Sequence, residues 1–280
     1  METRAVRIAI RIGTVLVLAF LYIPLLVVVL YSFSGDVGQT WPITSFTTKY
    51  YGEALRNPDV RSALVTSVEV ALIATLFAFL LGSLAAFAVH RFRFFGRNTV
   101  SFVLVLPIAL PGILTGIALS NAIDNYGIPY GIFTIILGHT TFCIVVVYNN
   151  VIARLRRTSG NIVEASMDLG ADGWATFRYV TWPAIRTAVV AGMLLAFALS
   201  FDEIVVTNFT SGTEITIPKL IYNNLRQPRN RPIVNVVAVL VLLVMVIPIY
   251  IAQRLAGGEA GGGTAAAQRA TLRSETEPGL

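Results

Sequence analysis

Residues 12–31 read IGTVLVLAFLYIPLLVVVLY, an uninterrupted apolar run without a single charge. As α-helix such a run is about 30 Å long, which matches the hydrocarbon thickness of a bilayer. Working outward from it, five further apolar stretches of comparable length follow, at about 62–89, 99–122, 132–153, 187–208 and 234–252. The second contains Glu69, and the fifth is interrupted near its end by Asp202 and Glu203. Composition agrees with a bilayer as solvent: hydrophobic residues make up 55% of the 280, charged residues only 13%, and mean hydropathy is +0.73. A soluble domain needs a charged exterior, with charged residues nearer a quarter of the chain, so an ordinary soluble enzyme is excluded. Continuous runs, rather than roughly ten-residue alternation, also exclude a β-barrel. The reading is an all-α membrane protein with six transmembrane helices.

Net charge is +6, but the basic residues form short blocks between apolar runs instead of lining one polar face, so they serve topology and not nucleic acid. With the N-terminus inside, the inner segments hold Arg4, Arg7 and Arg11; Arg91, Arg93 and Arg97; Arg154, Arg156, Arg157, Arg178 and Arg186; and Arg254, Arg269 and Arg273. The outer segments hold half as many, Lys49, Arg56, Arg61, Lys219, Arg226, Arg229 and Arg231. The positive-inside rule therefore predicts that both termini are cytoplasmic, with the cluster at 226–231 pulling the other way. The expected organisation is a cytoplasmic N-terminus (1–11), a six-helix transmembrane domain (12–253) with a long inner loop (154–186), and a disordered cytoplasmic tail (254–280) rich in Gly, Ala, Thr and Glu. The first run exceeds a signal-peptide core and no small-x-small cleavage site follows, so it is expected to stay as an anchor. Cys143 is the only cysteine, which excludes an intramolecular disulfide and a cysteine-only metal cluster.

The inner loop carries more local signal than a linker needs. Asn161 is a candidate N-cap with Glu164 three residues on, and Gly170 is the expected stop of a short helix. Asp172 can cap a second helix through Trp174, Phe177 and Tyr179, and Pro183 marks the entry to the fifth span. Exposed Met167, Trp174 and Phe177 would favour a protein partner.

Glu164-Ala165-Ser166, three residues, Gly170, nine residues, then Val180-Thr181-Trp182-Pro183 resembles the Glu-Ala-Ala loop of binding-protein-dependent ABC importer permeases. That family pattern is Glu-Ala-Ala, three residues, Gly, nine residues, Ile-x-Leu-Pro; this chain departs from it at Ser166, Val180 and Trp182. The resemblance continues through Leu106-Pro107-Ile108-Ala109-Leu110-Pro111-Gly112 and Ser200-Phe201-Asp202-Glu203-Ile204-Val205-Val206-Thr207, which look like the spermidine/putrescine subgroup. It implies a type I ABC importer permease fold in a bacterial cytoplasmic (inner) membrane. The implied partners are a cytoplasmic ATPase dimer, a second permease subunit that is a different chain, and an extracytoplasmic solute-binding protein. Glu164, Ala165, Ser166, Asp168, Gly170 and Pro183 would then belong to the ATPase-coupling loop. Ala165 and Gly170 permit close backbone approach, and Glu164 and Asp168, four apart, share a helix face that can meet basic groups. Capping by Glu164 and termination by Gly170 explain the helix but not the exposed aromatics, and the two roles can coexist.

The chain has no Gly-x-x-x-x-Gly-Lys-Ser/Thr loop, so ATP would be bound by another chain. No nucleophile with a base assembles, no catalytic residue is assigned, and no cofactor is called for. Ionisable residues inside spans tend to face a cavity, which singles out Glu69, Asp202 and Glu203. At about 1.5 Å per residue, Glu69 and Asp202 each lie about 10 Å below the outer surface, where acids could attract a cation. Hydration near the interface, or pairing of Glu69 with a basic residue, is the plainer alternative. Pro107 and Pro111 each remove a helix hydrogen bond, so the third span is expected to be a broken helix on the path or a hinge, although neighbouring helices also tolerate prolines. His90 and His139 read as hydrogen-bonded packing, and two histidines so placed make no metal site. The outer loop 32–60, with Trp41, Tyr50 and Tyr51, is either a docking surface or a set of interfacial anchors. The resemblance implies import of a polyamine such as putrescine or spermidine, while related permeases also carry solutes such as 4-aminobutyrate. The alternatives are an ion-gradient-driven secondary transporter or channel and, third, a membrane enzyme.

Overall fold

The computed structural model describes the backbone of residues 4–226 and 231–276, and side chains within them other than those of residues 5, 231 and 255–276. Among the described residues every regular element is a helix, and the only β-type pairing is an isolated bridge between Ser34 and Phe46. Five helices are long and apolar enough to cross a membrane: Val6–Ser32, Pro58–Arg91, Ile132–Arg157, Gly173–Phe201 and Pro232–Arg254. The pair Arg97–Ala109 and Gly112–Asn125, bent by 104° at a short break, makes a sixth if the two are one broken span. The chain divides into two compact units, Met1–Leu64 with Lys219–Val244, and Val65–Pro218 with Met245–Leu280.

In the first unit, α1 (Arg4–Ser32) is exposed along almost its whole length, as an apolar helix in contact with lipid or another chain would be. The segment after it folds back on its end. Thr47 N–H donates to Phe33 O at 2.8 Å, and Gly35 N–H donates to Ser45 O at 2.9 Å. Short helix α2 (Lys49–Arg56) is held there by Tyr51, whose hydroxyl meets Ser32 Oγ at 2.8 Å and whose ring lies 5.2 Å from that of Phe33. Tyr51 is therefore a structural anchor of the loop, while Trp41 is left exposed beside a cis Trp41–Pro42 bond. Asp36 accepts from Gly38 N–H at 2.9 Å and from the Thr40 hydroxyl at 2.8 Å, and these donors hold its carboxyl below the usual carboxylate range. Asn57 Oδ1 caps α3 (Pro58–Arg91), accepting from Asp59 N–H at 2.9 Å, with Pro58 at the first helical position.

In the second unit, α6 (Ile132–Arg157) is the central helix, buried on nearly all sides. Small residues let its neighbours come close, which is how helices pack where lipid removes the hydrophobic drive for association. A Cβ added to Gly82 of α3 would stand 2.9 Å from the carbonyl oxygen of Ile144. One added to Gly192 of α9 (Trp182–Phe201) would stand 3.4 Å from Cα of Val147. The buried stripe of α9, Ile185, Val189, Gly192, Ala196 and Ser200, recurs at three- and four-residue spacing, as one face of a helix requires. Tyr148 donates its hydroxyl to Ser101 Oγ at 3.0 Å, which joins α6 to α4 (Arg97–Ala109).

The fifth and last spans differ from the sequence expectation, whereas the third is a broken helix as expected: α4 ends at Ala109, Leu110 is extended (φ −82°, ψ 147°), and α5 (Gly112–Asn125) starts after Pro111. The residue before proline is sterically pushed out of the helical region, so the chain turns there. Pro107, by contrast, stays inside α4. The fifth span ends at Phe201, and Asp202 and Glu203 lie on a turn before α10 (Val205–Thr210), not within a helix. That span begins earlier than expected, because the second loop helix runs directly into it. The last helix, α12 (Arg231–Thr276), continues as helical backbone past Arg254, where a tail without fold was expected. Side chains from 255 on and residues 277–280 lie outside the described residues, as do Arg229 and the side chain of Arg231.

Candidate functional site

Two groups of residues stand at opposite ends of the antiparallel pair α6 and α9. From His139 to Arg154 there are fifteen positions along α6, about 22 Å at 1.5 Å per residue.

At the Arg154 end lies the loop with the Glu-Ala-Ala-like pattern. Helix α7 (Gly160–Asp168) is preceded by Ser159 at its N-cap, without a side-chain cap bond, so the expected cap at Asn161 does not form. Its far end is well determined. Gly170 has φ +88°, its N–H donates to Met167 O at 2.9 Å, and Ala171 N–H donates to Ser166 O at 3.1 Å. This pair of bonds around a left-handed residue is the Schellman termination, which glycine adopts without strain. Asp172 then caps α8 (Gly173–Thr176), its Oδ1 accepting from Ala175 N–H at 2.6 Å, as expected from sequence. The next residues, Phe177–Thr181, form a π turn in which Trp182 N–H donates to Phe177 O, and α9 follows at once. Pro183 has no N–H for the carbonyl four residues back, and a π turn is how a helix absorbs that loss.

The loop is braced at several points. Ser166 Oγ lies 3.2 Å from Thr176 Oγ1, so the residue that departs from the family's alanine ties α7 to α8. Arg154 Nε donates to Ala184 O at 2.7 Å, fixing the end of α6 to the start of α9. Phe177, expected to be exposed, is packed: its ring lies 5.7 Å from Phe87 of α3 and 5.7 Å from Trp174. Trp174 (68% exposed), Leu169, Tyr179 and Met167 remain outward. So do Glu164, Ala165 and Asp168, with Glu164 and Asp168 one turn apart on α7. Neither carboxylate forms an ion pair among the described residues. Pro183 is also exposed.

At the other end, α10 is cradled by glycines. A Cβ on Gly116 of α5 would run into the Phe209 ring, and one on Gly138 of α6 would stand 2.9 Å from Val206 Cγ1. Thr134 of α6 donates its hydroxyl to Thr210 O at 2.6 Å. Beside them His139, 1% exposed, has Nδ1 at 2.8 Å from Ser200 Oγ and Nε2 at 2.9 Å from Thr207 Oγ1. The expectation of a hydrogen-bonded, packed histidine is met, and the described residues contain no group of three or more His, Cys, Asp and Glu arranged to hold a metal.

The acids expected on a transport path take separate places. Glu203 is half-buried, and its Oε1 accepts from Val206 N–H at 2.9 Å, which ties it to the first turn of α10 from just ahead of the cap position at Ile204. Asp202 is exposed, and its carboxylate has no hydrogen-bond or ion-pair partner among the described residues. Glu69 is exposed too, without a hydrogen-bond or ion-pair partner among the described residues. The buried face of α3 near it is centred on Ser67, Val70, Ala74 and Ala78; at 3.6 residues per turn Glu69 lies about 200° around from Ser67, on the far side of the helix. No bond joins Glu69 to Asp202 or Glu203. Pro107 is half-buried within α4, and Pro111 is exposed at the bend.

Sequence reading missed what ties these groups together. Ser200 and Thr207 flank the acidic turn, and their pairing with His139 bridges 61 and 68 residues of chain. The available signal was three polar residues within stretches expected to span the membrane.

Comparison with known proteins adds the remaining findings. The family model described as "Binding-protein-dependent transport system inner membrane component" matches residues 78–257. The putrescine transport system permease protein PotI of Escherichia coli (strain K12) is 38% identical over 233 residues, which is 80% of this chain and 82% of that protein. The spermidine/putrescine transport system permease protein PotC of the same strain is 33% identical over 247 residues, 88% of this chain and 93% of that one. Among solved structures, a bacterial ABC transporter involved in the import of the acidic polysaccharide alginate matches with TM-score 0.69 at 17% identity, covering 91% of this chain and 98% of that chain. The MetNI methionine ABC transporter matches with TM-score 0.59 at 17% identity, covering 70% and 93%. These two share the fold.

Proposed function

The chain belongs to the family of binding-protein-dependent transport system inner membrane components, and from that premise we propose that its two sites are the two ends of one transport stroke. The protein is a multi-pass inner-membrane permease subunit of an ABC importer. Loop 154–186 takes force from an ATPase dimer, and the turn at 201–204 lies on the path of a small amine of the putrescine or spermidine type.

The observation that carries this reading is how loop and span are joined. The loop's second helix runs through the π turn into α9 without a linker, and Arg154 grips Ala184 at that junction. A push on α7 therefore has a stiff route to the far end of α9, where Asp202 and Glu203 stand. Exposed Trp174 and Met167, with the one-turn pair Glu164 and Asp168, give a partner an aromatic anchor and an acidic face. Ala165 leaves the helix backbone open to close approach. With two thirds of the basic residues in segments on the loop's side, this side is cytoplasmic and both termini lie there.

The amine assignment rests on charge and on the names of the relatives. A carboxylate on the lipid-facing side of a span is costly, so Glu69, turned from its own core, is covered by a second permease subunit across a hydrated path. Asp202, without a partner among the described residues, is the other open acid. A cation with two or more amines suits such separated carboxylates. An extracytoplasmic binding protein would deliver it.

The test uses the assembled transporter. Glu164→Lys and Trp174→Ala are expected to weaken ATPase association and cut uptake, with binding-protein docking unchanged. Normal uptake in both would remove the lever role from this loop.

A further inference from the structure

The hydrogen-bond chain at His139 has a direction that follows from the groups themselves. Thr207 Oγ1 donates its one proton to Glu203 O at 2.7 Å, so toward the imidazole it can only accept. The nitrogen facing it at 2.9 Å, Nε2, therefore carries a proton. A fully buried ring with no carboxylate among its partners is neutral, because an unpaired buried charge is too costly. Nδ1 then holds a lone pair and accepts the Ser200 hydroxyl at 2.8 Å. The order is Ser200 O–H to Nδ1, Nε2–H to Thr207 Oγ1, and Thr207 O–H to the Glu203 carbonyl.

The two ends of that chain lie on either side of the acidic turn. Ser200 is in the last turn of α9 and Thr207 in the first turn of α10, with the six residues Phe201 to Val206, the acidic turn among them, in between. One ring from a third helix grips the entry and the exit of the turn, and through Thr207 it also fixes the backbone of Glu203. The Glu203 carboxylate is already tied to Val206 N–H. That leaves Asp202 as the acid whose direction depends on how the turn is set.

We infer that His139 is the positioning residue of the Asp202–Glu203 turn, holding Asp202 toward the amine path from inside the helix bundle. It does not touch the solute. This inference rests on the proposed role of the turn, and the test separates the two.

Gln and Asn divide the ring's two functions. The amide nitrogen of Gln reaches the place of Nε2 and can donate to Thr207, whereas the amide oxygen of Asn takes the place of Nδ1 and keeps only the Ser200 bond. The complete transporter, with its partner permease, ATPase and binding protein, is reconstituted in vesicles, and labelled putrescine moved per ATP hydrolysed is measured. His139→Gln gives up only the bond to Ser200, whose place α9 already fixes, and keeps the one that sets the Glu203 backbone through Thr207, so it and Thr207→Ser are expected to stay within about twofold of the parent. His139→Asn and Thr207→Val should lower the ratio about three- to tenfold, the effect of one lost buried hydrogen bond, while binding-protein-stimulated ATP hydrolysis persists. Asp202→Asn, measured alongside, should lower the ratio as well.

An unchanged ratio in Asp202→Asn removes the turn from the path and takes the inference with it. If Asp202→Asn lowers the ratio but Asn and Gln at 139 behave alike, the reading of the turn stands and the positioning role falls. Thr207→Val keeps the shape of threonine, so failure of that variant to assemble would also overturn the inference, because the hydroxyl would then be serving stability and not position.

Discussion

Replacing Gly170 separates two reasons for a glycine in the loop. Its φ of +88° lies in the region that costs an L-residue about 1–2 kcal/mol. A Cβ built there meets nothing within 4 Å in the chain itself, so Gly170→Ala adds backbone strain and no clash. That strain acts against the bonds from Gly170 N–H to Met167 O and from Ala171 N–H to Ser166 O, which set where the chain leaves α7. A cost of that size lowers the weight of the native loop about 5- to 30-fold relative to alternatives. Gly170→Asn is the control, because asparagine visits the left-handed region more readily while carrying a larger side chain. If conformation is what matters, ATPase retained on the purified permease and binding-protein-stimulated ATP hydrolysis should fall in the order Gly, Asn, Ala. Asn proving as poor as Ala, or worse, would refute the conformational argument and point to a partner packed against the glycine. Wild-type behaviour of Ala would refute both.

Two further substitutions probe the scaffold. Asp172→Ala removes the cap on Ala175 N–H and should cost about 1 kcal/mol locally, seen as faster amide exchange over 173–181, with Asp172→Asn close to the parent. At Gly82 an added Cβ would stand 2.9 Å from Ile144 O and 3.1 Å from Tyr148 N, backbone atoms of the central helix. Gly82→Ala should therefore lower thermal stability in detergent by an overpacking cost of about 1–3 kcal/mol, whereas Gly13→Ala, with nothing within 4 Å, should not.

Much of this architecture is legible in the sequence, because lipid imposes simple rules. Apolar length identified the spans, and glycine at 170 and aspartate at 172 marked a helix stop and start through local backbone chemistry. Prolines announced a break in the third span, but not that Pro111 would bend the chain while Pro107 stayed helical. That choice is tertiary: the bend lets the glycine face of α5, Gly112 and Gly116, meet Val205 and Phe209 of α10. The early end of α9 was hidden for a similar reason. Hydropathy runs on through Val205 and Val206, and the bonds that tie the turn to another helix, from Ser200 and Thr207 to His139, come from far away in sequence. The cap at Asn161 failed because the helix begins at Gly160, one residue ahead of it, after Ser159. Local signals fix such ends only to within a residue or two.

The most direct test of the account is uptake of labelled putrescine into proteoliposomes that hold this chain, its partner permease and the ATPase, with the binding protein added outside. The account predicts accumulation that requires both ATP and the binding protein. Uptake that proceeds without ATP, driven by an ion gradient alone, would contradict it.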